Sequence, residues 1–301
     1  MSRSTLRVGL VAAAVLATAA SLTACGSSSE GESSSSSGAG TSVDAALAAK
    51  VPDAIKSDGK IVIGVDATYA PNEFLDTDGQ TVIGFNIDLF DAVAAKLGLQ
   101  TEWVPAPFAN IIPSVQSGKY EIGVSSFTVN EERMQIVNMV SYFSAGTQWA
   151  TQKGNPNSVD PDAACGLKVA VQKATVQVDD VEARSKACTD AGKSAITIDQ
   201  YQGQDQATAS VVSGKDVAML ADSPIIAYAV KQTNDQLELL GDIYDSAPYG
   251  YAIQKEQTDF AQAVADAVKA LIADGTYKSV LDEWGVSQGA ITDPTVNPTL
   301  G

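Results

Sequence analysis

Ser117-Gly-Lys-Tyr-Glu-Ile-Gly-Val-Ser-Ser-Phe-Thr-Val-Asn-Glu-Glu-Arg133 passes from a strand into a helix and gathers hydroxyls and one guanidinium at the junction. Tyr120, Ile122 and Val124 alternate along a short buried strand. The chain turns after Ser125 and Ser126, and Asn130 caps a helix whose first turn holds Glu131, Glu132 and Arg133. A helix N-terminus favours acids by about 0.3 to 1 kcal/mol, so a cation placed there opposes the dipole. Two readings account for Arg133: a solvated pair with Glu131 or Glu132, or a grip on a bound anion.

Around this stretch the chain has 301 residues, which suits two lobes of about 100 to 150 residues each. Its apolar content of 45% is enough for real cores. The formal charge is −17 and neither Lys nor Arg forms a run, which argues against binding nucleic acid or anionic lipid through a basic surface. No histidine is present, which removes Ser-His-Asp and Cys-His catalysis and the commonest zinc ligand. Neither a metal nor a cofactor is expected.

At the N-terminus, Arg3 and Arg7 precede an apolar segment from Val8 to Ala20. Those 13 residues are too few to span a bilayer, which takes about 20, so the segment reads as a signal peptide. Leu22-Thr-Ala-Cys25 resembles the lipobox of bacterial lipoproteins, which implies cleavage before Cys25 and a lipid on its sulfur. Loss of residues 1–24 takes two arginines away and leaves a charge of −19. From Gly26 to Ser42, 13 of 17 residues are Gly or Ser, a composition that orders no core and reads as a tether. Val43 to Ile55 reads as a short helix or leader.

Lys60-Ile-Val-Ile-Gly-Val is a continuous apolar run of the kind shown by parallel strands buried on both faces. It ends in the loop Asp66-Ala-Thr-Tyr-Ala-Pro-Asn-Glu-Phe, on the side where open α/β sheets bind ligands. Ile87, Phe90, Val93, Ala94 and Leu97 form a helical stripe closed by Gly98. Leu167 to Val171 and Val217 to Ala221 are further buried strands. The second runs into Asp222, and an acid directly after five apolar residues needs a partner, because an unpaired buried carboxylate costs several kcal/mol. Asp222 either meets a ligand or caps the helix that follows. Cys165 and Cys188 fall in the same region, and export favours a disulfide between them over two free thiols.

The run Ser126-Phe-Thr-Val-Asn-Glu-Glu-Arg133 resembles the signature of extracytoplasmic solute-binding proteins for polar amino acids, the receptors of ABC importers. The resemblance spans about residues 58 to 287 and takes in Thr68-Tyr-Ala-Pro71 and the segment from Gly84 to Leu89. It departs at Asn72, where the family commonly has an aromatic residue, and at Ala174-Thr175, where the family has Gly-Thr. The resemblance implies an α/β fold of two Rossmann-like lobes joined by two hinge crossings, the type II periplasmic binding protein fold. The implied parts are a signal peptide at 1–24, a lipidated Cys with tether and leader at 25–57, lobe 1 at 58–147 plus 248–290, lobe 2 at 148–247, and a loose tail at 291–301.

By the same resemblance, Arg133 takes the α-carboxylate of a free amino acid in a bidentate fork, helped by Ser125, Ser126, Thr128 and Thr175. Asp222 takes the α-ammonium. Tyr69 and Phe108 pack on the ligand's side chain and Asp66 faces its distal group, although either ring can equally be core and Asp66 a turn residue. Glu73 is a second acid offered to that side chain. Polar or basic amino acids are the expected ligands. The implied protein is no enzyme but a monomer, lipid-anchored on the outer face of the cell membrane, that serves an ABC permease and ATPase. A dehydratase of cyclic carboxylic acids on the same fold, and a ligand-binding surface sensor, are the competing readings.

Overall fold

The computed structural model describes residues 42–300; the expected signal peptide, Cys25 and the tether up to Thr41 lie outside them. The chain starts with α1 (Ala45–Ala48), capped by Asp44, whose Oδ1 accepts the N–H groups of Ala46 and Leu47 at 2.9 and 3.2 Å. Together with α2 (Asp53–Lys56) it buries Leu47, Val51 and Ile55 in the first lobe's core, so the leader belongs to the folded body.

β1 (Lys60–Val65) is followed by a small sheet of β2 (Thr68–Tyr69), β3 (Glu73–Leu75) and β4 (Val82–Ile83). Then come α3 (Phe85–Lys96), β5 (Gln100–Pro105), α4 (Phe108–Gln116), β6 (Ile122–Gly123), α5 (Glu131–Ile136) and the long β7 (Val137–Gln152). The second lobe adds β8 (Lys168–Gln172), α6 (Val176–Asp190), β9 (Thr197–Tyr201), α7 (Gln204–Val212), β10 (Ala218–Asp222) and α8 (Ser223–Gln232). The chain returns along β11 (Leu237–Gln254) and ends in α9 (Thr258–Asp274) and α10 (Thr276–Trp284).

The main sheet has the order β5-β1-β6-β11-β7-β10-β8-β9. β1 is parallel to β5 and β6, and β8 is parallel to β9 and β10, so each end is a parallel half-sheet. Both faces of these strands are covered, which is why they read as unbroken apolar runs. Ile61 and Ile63 pack with α3 and α9, whereas Val62 packs on the opposite side with Ile111 and Val115 of α4. The second lobe repeats this: Ala170 and Met219 face α7 and α8, and Val169, Val171 and Leu220 face α6.

Between the halves runs the antiparallel ribbon of β7 and β11, the two expected crossings. Its register shifts between Leu240 and Tyr244, Tyr244 and Ala247, and Tyr249 and Gly250, so the ribbon is bulged where it passes from one lobe to the other. Cys165 and Cys188 are joined in a disulfide, their Cα atoms 5.5 Å apart, which ties the approach to β8 onto α6.

The tail is not loose. Ser141 N–H donates to Thr295 O at 2.9 Å, Asn297 N–H donates to Met139 O at 2.7 Å, and Asn297 Nδ2 donates to Asn138 Oδ1 at 3.0 Å. β10 reaches β7 only from Thr147 to Thr151, so the edge near residues 138–141 is open and the tail covers it. Composition alone could not reveal that edge.

Candidate functional site

The C-terminal ends of β1, β6, β8 and β10 converge on one cavity between the lobes. All nine ligand-contact residues expected from the sequence line it: Asp66, Tyr69, Phe108, Ser125, Ser126, Thr128, Arg133, Thr175 and Asp222. Gln172, Val176 and Gln177 also line it and were missed. Gln172 ends β8 just as Asp66 follows β1, and Gln177 lies in the first turn of α6; strand ends and helix starts were the signals available.

Arg133 is placed by the cap of α5, where Asn130 Oδ1 accepts the Arg133 N–H at 2.8 Å. Its guanidinium lies over the rings of Phe108 and Phe127, at 5.5 and 5.7 Å from their centroids. Nη1 donates to Thr128 O at 2.7 Å and Nη2 to Ala174 O at 3.1 Å. Both acceptors are backbone carbonyls, and among the described residues no carboxylate forms an ion pair with Arg133. The reading of Arg133 as a partner of Glu131 or Glu132 therefore falls. Burial draws its pKa down to about 10, against the pull of Asp222.

Asp222 caps no backbone N–H of α8. Its Oδ2 accepts Tyr249 OH at 2.7 Å, its Oδ1 accepts Gln177 Nε2 at 2.8 Å, and its own N–H donates to Tyr69 OH at 3.2 Å. Burial raises its carboxyl above the ordinary range, with Tyr249, Tyr69, Gln177 and Arg133 pulling the other way. Tyr69 and Tyr249 are themselves pushed further from ionisation by burial and by Asp222, so both remain neutral.

Asp66 is held from two sides. Thr68 Oγ1 and Thr68 N–H donate to its Oδ1 at 2.6 and 3.1 Å, while Phe108 N–H and Gln172 Nε2 reach Oδ2 at 2.8 and 3.1 Å. Burial lifts its pKa, offset by Thr68 and Phe108 and reinforced by Asp205. Ser125 Oγ accepts the Asp66 N–H at 3.0 Å, so this hydroxyl joins β6 to β1. Thr175 opens α6, with its Oγ1 donating to Gln172 O at 2.8 Å. Ala174 before it adopts a left-handed φ of 63°, so the turn keeps the glycine-type backbone without a glycine.

One expectation about the walls needs correction, and the departure at Asn72 is filled. Glu73 does not line the cavity; it is fully buried and accepts Asn86 Nδ2 at 2.5 Å. Asn72 leaves no gap, because it too is fully buried, with its Nδ2 donating to Ser126 Oγ at 2.8 Å. Hydrogen bonds join the lobes across the cavity, among them Gln172 to Asp66, Asp222 to Tyr69, Tyr249 to Asp222, Arg133 to Ala174, and Gln204 N–H to Thr68 Oγ1 at 3.1 Å. The lobes are thus closed on each other.

A sequence model of bacterial extracellular solute-binding proteins, family 3, matches residues 61–287. The arginine-binding protein ArgT of Corynebacterium glutamicum is 39% identical over 250 residues, covering 83% of this chain and 82% of its own length. A solved ancestral arginine-binding protein bound to arginine has a TM-score of 0.69 at 31% identity, covering 75% of this chain and 98% of that one. The ancestral amino acid-binding protein AncCDT-1, a precursor of cyclohexadienyl dehydratase, has a TM-score of 0.69 at 31% identity and covers 77% of this chain and 98% of that one.

Proposed function

Because this chain belongs to the bacterial extracellular solute-binding proteins of family 3, we propose that it is the substrate-binding component of an ABC importer and carries a basic amino acid. The observation that carries the reading is the charge layout of the cavity. Arg133 faces two acids, Asp66 and Asp222, so the ionised lining holds one negative charge in excess. A buried excess charge is costly, and a ligand with one carboxylate and two cationic groups cancels it. Arg133 takes the carboxylate, Asp222 the α-ammonium and Asp66 the distal cation, between the rings of Tyr69 and Phe108. A neutral amide leaves the excess uncancelled, and a second carboxylate adds to it. The similarity to arginine-binding proteins supports the same ordering.

We place the lobes at 58–147 plus 248–290 and at 148–247, with the leader from Val43 and the tail after 290 packed onto the first. Contacts made only when both lobes meet the ligand favour the closed form, and closure is the signal a permease reads. A lipid on Cys25 would hold this monomer at the outer membrane face beside its permease and ATPase. The similarity to AncCDT-1 keeps a dehydratase in view. Against turnover, Asp66 and Asp222 are held as acceptors by neutral donors, Thr68, Phe108 and Gln172 on the first and Tyr249 and Gln177 on the second, an arrangement that suits fixed charges facing cations rather than groups that exchange protons with a substrate. The test is calorimetric titration with arginine, lysine, glutamine and glutamate at fixed ionic strength, alongside incubation with a prephenate-type cyclic acid. Arginine or lysine should bind tightest, glutamate weakest, and the cyclic acid should remain unchanged. Tightest binding of glutamate, or consumption of the cyclic acid, would overturn the reading.

A further inference from the structure

Behind the cavity wall lies a buried polar cluster that the binding scheme above does not use. Ser126 lines the cavity and is held at a left-handed φ of 50°, a backbone conformation that a non-glycine residue adopts only when its surroundings impose it. Its Oγ receives two amide donors, Asn72 Nδ2 at 2.8 Å and Asn86 Nδ2 at 3.0 Å. The second hydrogen of Asn86 Nδ2 goes to Glu73 Oε2 at 2.5 Å, which fixes the nitrogen end of that amide toward Ser126. Gly84 makes the juxtaposition possible: Asn86 N–H donates to Asn72 O at 3.0 Å, and a Cβ on Gly84 would lie 2.2 Å from that same oxygen.

A serine hydroxyl has two acceptor lone pairs and one hydrogen. With both lone pairs engaged by amide donors, Ser126 can only donate. We propose that Asn72 and Asn86, oriented by Glu73, are positioning residues that make Ser126 an obligatory hydrogen-bond donor toward the carboxylate of the bound amino acid. This rests on the reading of the cavity as an amino-acid site. Glu73 would compete for the same hydrogen if ionised, since the Ser126 hydroxyl also favours its charged form. Burial raises the Glu73 carboxyl well above its ordinary value, which weakens its pull on that hydrogen. Asn72, Glu73 and Asn86 form one buried network with Ser126.

The test is a double-mutant cycle read by calorimetry with L-arginine near neutral pH. Ser126→Ala should weaken binding about tenfold, the worth of a hydrogen bond to a charged group. Asn72→Ala and Asn86→Ala should each weaken it about threefold to tenfold in the parent and by less than about twofold in the Ser126→Ala background, because they act through that hydroxyl. Equal losses in both backgrounds would overturn the proposal while leaving arginine binding intact. Absence of arginine binding in the parent would instead refute the site reading on which it rests. Should an asparagine variant fail to fold, Glu73→Gln, which keeps the shape of the buried acid and carries no charge, should bind L-arginine within about twofold of the parent. A loss of tenfold or more there would show that Glu73 acts as a charge and would contradict the positioning role.

Discussion

Arg133 and Arg184 are the two arginines among the described residues, and their surroundings differ in one respect that separates binding from structure. Arg184 lies in α6 with Asp180 one turn away, its Nε 2.8 Å from Asp180 Oδ1 and its guanidinium over Trp149 and Tyr244. Tyr244 OH donates to the other Asp180 oxygen at 2.6 Å and accepts Trp149 Nε1 at 2.8 Å, so the group is closed on itself. Burial works against its charge, yet Asp180 and Tyr244 outweigh that and raise its pKa. Arg133 has the same aromatic stacking but only carbonyls to donate to, and its pKa is drawn down instead. On the proposed function, this guanidinium, held in a cleft without a carboxylate, receives one from the ligand.

The largest effect expected from this contrast is at Arg133. Arg133→Ala should leave a folded protein whose affinity for arginine falls by about 2 to 5 kcal/mol, the cost of stranding a ligand carboxylate in a desolvated cleft. Near-parental affinity by calorimetry would break the contrast at once. On the other side, the double change Cys165→Ser with Cys188→Ser should cost about 3 kcal/mol of stability in the chain-entropy account of a closed loop of this size. Chemical denaturation measures that cost, and affinity for arginine should change less than about twofold. Arg184→Ala should do less, about 1 kcal/mol, which in a chain of this size is a fall in Tm of about 2 to 4 °C. Affinity falling as far as in Arg133→Ala would mean that the two sites are coupled through α6.

Asp222 gives the finest test. Its carboxyl is raised by burial, and a bound ammonium favours its ionised form, so affinity is complete above that raised pKa and declines as the pH falls through it. The slope should approach about tenfold per pH unit below that point. Calorimetry from neutral pH downward should show this decline in the parent and in Arg184→Ala alike, and a flat profile would remove Asp222 from the ammonium.

Much of this is legible in the sequence. Strands covered on both faces announce themselves as apolar runs, which located β1, β8 and β10 and, at their ends, Asp66 and Asp222. Arg133 stood out because it opposes its own helix dipole. Three things were hidden. The depth of Glu73 depends on how β3 sits against α3, and an acid in a loop sequence gives no sign of being walled off. The docking of the tail depends on an edge of β7 that β10 leaves uncovered, a property of topology rather than composition. Gln172 and Gln177 carry no charge to draw notice, yet one reaches Asp66 and the other Asp222.

The most direct test of the account is calorimetric titration of the parent and of Arg133→Ala with L-arginine and with agmatine, which keeps the guanidinium and the amine but lacks the carboxylate. The parent should prefer arginine by at least about thirtyfold, the lower end of what truncating one partner of a buried charge pair costs, and the preference should collapse in Arg133→Ala. Equal binding of the two compounds by the parent, or a preference that survives the loss of Arg133, would contradict the assignment of this arginine to the ligand's carboxylate.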